Sequence, residues 1–235
     1  DRYVVLLLRK VFSFLPKSLE SVKPILIYPV GGILLIGLIM LAINPVVGAI
    51  NTALNNFLSS MQGANKIILG AILGGMMSVD LGGPVNKASY TFGTGMLAEG
   101  HYEIMAAVMI GGMVAPLAIA ILATFFPKKL PKKERQAGLL NYVMGLSFIS
   151  EGAIPFASAD PIRVLPACVI GSAVSGALSM AFNCSLMAPH GGIFVLPLIG
   201  NPGWYTLALV VGSVIAAGIM ACLLYTSPSP RDRSL

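Results

Sequence analysis

Five polar side chains stand in apolar sequence where such groups are rare: Asp80, Asn86, Lys87, Glu151 and His190. Glu151 is the most conspicuous. It lies between Ile149 and Ile154 inside Gly145-Leu-Ser-Phe-Ile-Ser-Glu-Gly-Ala-Ile-Pro-Phe-Ala-Ser-Ala-Asp-Pro161. An ionisable group in a membrane segment is costly, and its default reading is a functional site. The plainer alternative is a structural hydrogen bond that closes a hairpin. Carboxylates and the Asn amide accept and donate in the geometry of vicinal hydroxyls, and a His can do both. The set therefore suits a sugar or another small polar solute, with Glu151 as the central ligand. His190, Asn86, Asp80 and Lys87 are further substrate-binding candidates. For His190, Asn86 and Lys87 a structural role weighs equally, and Asp80 and Lys87 could also pair with each other. Asp160, just before Pro161, reads as a turn or helix cap paired with Arg163. Glu99, His101 and Glu103 read as loop polarity.

Other chemistries find no support in the sequence. There is no H-E-x-x-H, Walker A or G-x-S-x-G pattern. Cys168, Cys184 and Cys222 are far apart in apolar sequence without a C-x-x-C, so they read as small buried hydrophobes rather than metal ligands or a dithiol. No cofactor is expected.

The elements that must position these groups follow from composition and hydropathy. Of 235 residues, 56% are hydrophobic and 10% charged, and the mean hydropathy is +0.86. Soluble domains carry roughly 25% charged residues, so the chain reads as an all-α polytopic membrane protein. The net charge of +6 comes without the aromatic-plus-basic groove of a nucleic-acid binder. Residues 1–24 read as a membrane-edge segment. Residues 25–43 are long enough to span, with Asn44-Pro45 as the expected end. Residues 46–66 alternate Val47, Ile50, Leu54, Phe57, Leu58 and Met61 with asparagines, as an interfacial amphipathic helix would. Residues 104–126, 162–187 and 204–224 are the remaining spans; 162–187 is rich in the small residues that allow close packing.

Three stretches interrupt this pattern: 80–95, 145–161 and 188–197. Each combines Gly and Pro with the rare polar residues. Non-helical backbone at membrane depth is tolerated where protein or a water-filled cavity satisfies it, and transporters place substrates at such breaks. The loop Pro127–Arg135 carries five basic residues against one acid, which places it in the cytoplasm. With Lys17 and Lys23 also cytoplasmic, residues 67–103 must return to the side from which they entered. That predicts a re-entrant or paired arrangement there, and the fold as a whole is expected to combine spanning helices with re-entrant hairpins.

Three segments together carry a resemblance: Asp80-Leu-Gly-Gly-Pro-Val-Asn-Lys-Ala-Ser-Tyr-Thr-Phe92, Ile149-Ser-Glu-Gly-Ala-Ile-Pro-Phe-Ala-Ser-Ala-Asp-Pro161 and Ala188-Pro-His-Gly-Gly-Ile-Phe194. In content, order and spacing they are similar to the fructose family of bacterial phosphotransferase-system sugar permeases, the enzyme IIC component. The resemblance spans about residues 1–224. It implies a multi-pass protein of the bacterial cytoplasmic membrane that binds fructose and presents it to an enzyme IIB domain, itself charged through IIA. That domain carries a phosphocysteine, and the sugar leaves as fructose 1-phosphate. Glu151 matches the family's substrate-liganding acid; His190 and Asn86 are weaker carry-overs. The implied partners are sugar, IIB and IIA, membrane lipid and a second copy of the chain. The chain itself carries no phosphorylated Cys or His domain, so it is expected to be one part of a phosphotransferase complex. Its first helices are expected to be missing, and 225–235 reads as a non-native or disordered tail. The competing reading is an ion-coupled secondary transporter with Glu151 and Asp80 as proton or cation sites.

Overall fold

The computed structural model describes residues 28–60 and 66–224. The readings of 1–24 and 225–235, and of the amphipathic face carried by Val47, Ile50, Leu54, Phe57, Leu58 and Met61, lie outside the described residues and side chains. The chain divides into two compact units, residues 1–54 and 55–235.

Helix α1 is continuous over Tyr28–Ser60 and runs straight through Pro45. The expected stop at Asn44-Pro45 is therefore corrected: residues 46–60 continue the same helix rather than starting a new one. A proline inside a helix removes one backbone hydrogen bond, a loss that apolar helices in membranes accommodate locally. Along 30–43 the large side chains Ile33, Leu34, Leu38 and Leu41 are exposed.

The second unit comprises α2 (Lys66–Val79), α3 (Pro84–Ala98), α4 (Tyr102–Phe125), a 3-10 turn at Pro127–Lys129, α5 (Lys132–Leu146), a 3-10 turn at Ser150–Ala153, α6 (Ile154–Ala159), α7 (Pro161–Ala181), strand β1 (Ser185–Leu186), a 3-10 segment at Gly192–Leu198, strand β2 (Ile199–Gly200) and α8 (Pro202–Leu223). Helices α4, α7 and α8 are long and apolar enough to cross a membrane. Helix α4 is the axis of this unit, with 94% of its most apolar window buried.

Close approach of small residues holds the helices together. A Cβ on Gly111 of α4 would lie 2.5 Å from the Gly74 Cα of α2, and one on Gly171 of α7 would lie 2.5 Å from the Gly212 carbonyl of α8. Ser172 Oγ donates to the Gly111 carbonyl at 2.9 Å. Its single proton is thus committed, so Ser78 donates in the 2.6 Å Ser78–Ser172 contact. Ser175 Oγ donates to the Ala208 carbonyl at 2.9 Å. Packing of this kind, rather than hydrophobic exclusion, associates helices in lipid.

Two helical hairpins flank α4. The arms α2 and α3 have 14 and 15 residues. At 1.5 Å per residue each is about 21–23 Å long, short of the roughly 30 Å hydrocarbon core. The base of this hairpin lies beside the start of α4, where Lys66, His101, Glu103 and Ile104 line one small cleft. The second hairpin, α5 and α6, has its base at the other end of α4. There Thr124 Oγ1 and Tyr142 Oη are 2.9 Å apart, and a Cβ on Gly138 would sit 2.7 Å from Ala123 Cβ and 3.7 Å from Phe156 Cζ. The hairpins thus open in opposite directions and bring their tips to the middle of α4, where Gly112 meets the ring of Phe148 and the methyl of Met77.

Candidate functional site

The first tip is the turn Asp80–Gly83. Leu81 (φ +47°) and Gly82 (φ +107°) reverse the chain, and Pro84 starts α3 where its missing N–H costs nothing. Asp80 folds back over that start. Its Oδ2 accepts from the Val85 N–H at 2.7 Å and its Oδ1 from the Asn86 N–H at 2.9 Å, so it caps α3 at the positive end of the helix dipole. Asn86, 7% exposed, donates through Nδ2 to the Met77 carbonyl at 2.6 Å and, more weakly, to Ser150 Oγ at 3.5 Å. The possible Asp80–Lys87 pair is not formed among the described residues; Asp80 instead accepts from two backbone donors.

The second tip follows α5. The Phe148 N–H donates to the Gly145 carbonyl at 3.1 Å and the Ile149 N–H to the Met144 carbonyl at 2.9 Å. This is the paired-bond helix terminator that normally places glycine in the left-handed position. Here that position is Phe148 (φ +63°). A left-handed side-chain-bearing residue costs about 1–2 kcal/mol, which burial of its ring offsets. Phe148 is 7% exposed. Its ring centroid is 6.2 Å from Tyr90 and 5.1 Å from His190, edge to face.

The third element is the loop after α7. Strands β1 and β2 pair antiparallel, Ser185 with Gly200 and Leu186 with Ile199. This two-residue ladder pins the base of the loop and lets 187–198 reach inward. Gly192 packs on the backbone of the second tip, where a Cβ would lie 2.9 Å from Phe148 N.

The three breaks found in the sequence therefore converge. Between them is a cavity of about 470 Å³, lined by Met77, Gly82, Asn86, Lys87, Tyr90, Phe148, Ile149, Ser150, Glu151 and His190. That volume falls within the roughly 300–1,000 Å³ usual for small-molecule sites. The structure thus brings Glu151, His190, Asn86 and Lys87 to one cavity and leaves Asp80 outside its lining, as the cap beneath it. Glu151 is exposed to the open cavity. The openness of that cavity, rather than a structural partner, makes a carboxylate tolerable there. Its side chain lies against the first tip: a Cβ on Gly82 would be 2.9 Å from Glu151 Oε1. Asp160 and Arg163 form the expected ion pair, at 2.6 Å, and the three cysteines are unpaired.

Sequence reasoning missed Tyr90, Phe148 and Ser150. Tyr90 could have been found from spacing, since it lies one turn beyond Asn86 and Lys87 on the same face of α3. Phe148 gave no signal, because the terminator it occupies is usually marked by glycine.

The arrangement makes Asp80 a positioning residue for Asn86. Asp80→Ala should remove a helix cap worth about 1 kcal/mol and free the start of α3. Ligand affinity at the cavity should fall several-fold while membrane insertion persists. Titration calorimetry on the purified variant checks this, and wild-type affinity would show that Asn86 holds its place without the cap.

Residues 3–171 match the family model described as "Phosphotransferase system, EIIC". The chain is 50% identical over 222 residues to the fructose permease IIC component of Bacillus amyloliquefaciens, covering 94% of this chain and 73% of that protein. It is 49% identical over 219 residues to the fructose-specific EIIABC component of Bacillus subtilis, covering 93% of this chain and 34% of that one. It is 51% identical over 206 residues to the fructose-specific EIIB'BC component of Vibrio cholerae, covering 86% and 35% respectively. The chain thus spans about a third of the length of these multi-component relatives. No solved structure matches. A family match over most of the chain, long relatives at half identity and a predominantly helical architecture with three apolar spans agree: the chain belongs to the EIIC family of integral membrane components of the phosphotransferase system.

Proposed function

We propose that this chain is the sugar-translocating part of a phosphotransferase-system permease in the cytoplasmic membrane, with fructose as its substrate. The observation that carries this reading is the convergence of three helix breaks on one cavity lined by Glu151, His190 and Asn86. A neutral polyol needs several donors and acceptors at hydroxyl spacing and apolar walls against its C–H faces. Glu151 accepts from two adjacent hydroxyls, His190 donates or accepts, and Asn86 offers its amide oxygen while its NH₂ is held by Met77. Tyr90 and Phe148 supply the apolar wall. Asp80 acts beneath the site rather than in it. The names of the relatives, which join EIIB to EIIC, support an EIIB domain as the phosphoryl donor, with EIIA upstream. Lipid and a second copy of the chain complete the partner set.

The orientation follows from the basic segment at 127–135. With that segment cytoplasmic, the α5–α6 hairpin enters from the cytoplasm and the α2–α3 hairpin from outside. Transport then moves the junction of the tips relative to the surrounding spans, and the sugar is phosphorylated once it is open to EIIB.

The test is the chemical form of the product. Vesicles containing the chain, given phosphorylated EIIB and labelled fructose, should accumulate fructose 1-phosphate with no dependence on an ion gradient. Free fructose accumulating in response to a proton or sodium gradient would replace this reading with a secondary transporter.

A further inference from the structure

Lys87 and Glu151 carry opposite charges into the same cavity, yet no ion pair joins them. Lys87 lies one turn into α3, exposed, with its backbone N–H bonded to the Gly83 carbonyl at 3.0 Å. Its ammonium has no partner among the described residues. The nearest acid in sequence, Asp80, accepts from two backbone N–H groups and forms no ion pair with it. Lys87 is the one Lys or Arg among the lining residues.

An uncharged sugar gives no reason for such a charge. Hydroxyls are satisfied by carboxylate, amide and imidazole. A phosphoryl group does give a reason. Catalysis of phosphoryl transfer is largely positioning and compensation of charge on the non-bridging oxygens, by Lys, Arg or a metal ion. The Lys87 ammonium is already in the cavity wall.

We propose that Lys87 is a catalytic residue for the phosphoryl-transfer step: it binds the transferring phosphoryl group, while Glu151 and its neighbours bind the sugar. This rests on the permease reading above. In the step, the sugar hydroxyl oxygen forms a bond to phosphorus as the S–P bond of an S-phosphocysteine donor breaks. The thiolate leaves with the S–P electron pair, and the hydroxyl proton passes to water in the open cavity. Lys87 forms and breaks no covalent bond. It donates hydrogen bonds to the phosphoryl oxygens in the transition state and in the sugar phosphate product.

The experiment compares wild type, Lys87→Met and Lys87→Arg, each in detergent or vesicles with the same phosphorylated EIIB. Three readouts are needed: fructose affinity, fructose 1-phosphate affinity, and the single-turnover rate of phosphoryl transfer at saturating fructose. For Lys87→Met, fructose 1-phosphate affinity should fall at least about tenfold more than fructose affinity. The transfer rate should drop by about 10²–10³, the usual cost of losing one charge-stabilising donor. Lys87→Arg should recover much of both. Equal losses for the two ligands would make Lys87 a sugar ligand and overturn the proposal, as would a wild-type transfer rate in Lys87→Met. Wild-type chain that binds neither ligand would overturn the permease reading together with it. Because Lys87 is exposed and its ammonium is bonded to none of the described residues, monodispersity in gel filtration should match wild type for both variants, and the comparison stands on folded protein.

Discussion

Glu151→Ala lowers fructose affinity by one to two orders of magnitude, with the chain still inserted at wild-type level: that is the expected result of removing the central acid of the cavity. The magnitude comes from hydrogen bonds to a charged group, worth about 1.5–3 kcal/mol each, where about 1.4 kcal/mol is a factor of ten. Insertion and folding survive because the side chain is exposed and accepts no hydrogen bond from the described residues. Glu151→Gln should fall between the two, since it keeps the shape and loses the charge. Binding is measured by equilibrium dialysis of labelled fructose against purified protein. Unchanged affinity in Glu151→Ala would remove this residue from the site and, with it, the main support for sugar binding at the junction of the tips.

Gly82→Val should be nearly as damaging, for a backbone reason. Gly82 has φ +107°, a conformation that costs a β-branched residue about 1–3 kcal/mol. The new Cβ would also lie 2.9 Å from Glu151 Oε1 and 3.2 Å from its Cγ and Cδ. Either Glu151 swings away or the two tips separate. Both outcomes dismantle the cavity, so fructose binding should be lost along with several degrees of thermal stability. Gly95→Ala is the control: it lies in the same helical hairpin with nothing within 4 Å of the added carbon, and an alanine there should bind as wild type. A Gly82→Val protein with wild-type affinity would show that the tips do not meet in the binding state.

Hydropathy made two of the three long spans legible almost to their ends, 104–126 as Tyr102–Phe125 and 204–224 as Pro202–Leu223; the expected 162–187 is corrected at its end, since the helix stops at Ala181 and the chain turns into β1. The breaks were legible too, because Gly, Pro and rare charges coincide there. What could not be read was how each break is built. The stretch 80–95 read as broken throughout, yet only Asp80–Gly83 leaves the helix, since Pro84 is a good first helical residue. Asp80 looked like a ligand because its sequence surroundings are apolar. Its partners are two N–H groups five and six residues on, a fold-back that spacing alone does not reveal. Pro45 was over-read in the opposite sense, as a stop. For Glu151, sequence marked the acid as unusual but not the reason it is tolerated, which is the open cavity.

The burial of α4 bears on how the protein is assembled. This helix has the highest mean hydropathy of the three spans, 2.4 against 1.8 and 2.3, yet its surface faces protein rather than lipid. The hydropathy that lets it enter the bilayer is thus not what retains it at the centre. As neighbours arrive, each patch of α4 exchanges acyl chains for side chains of similar polarity, an exchange with almost no solvation gain. The order and register of assembly must then come from the glycine contacts and the Ser78–Ser172–Gly111 relay. A change at these positions would leave a protein inserted yet unassembled, with a normal topology and no site.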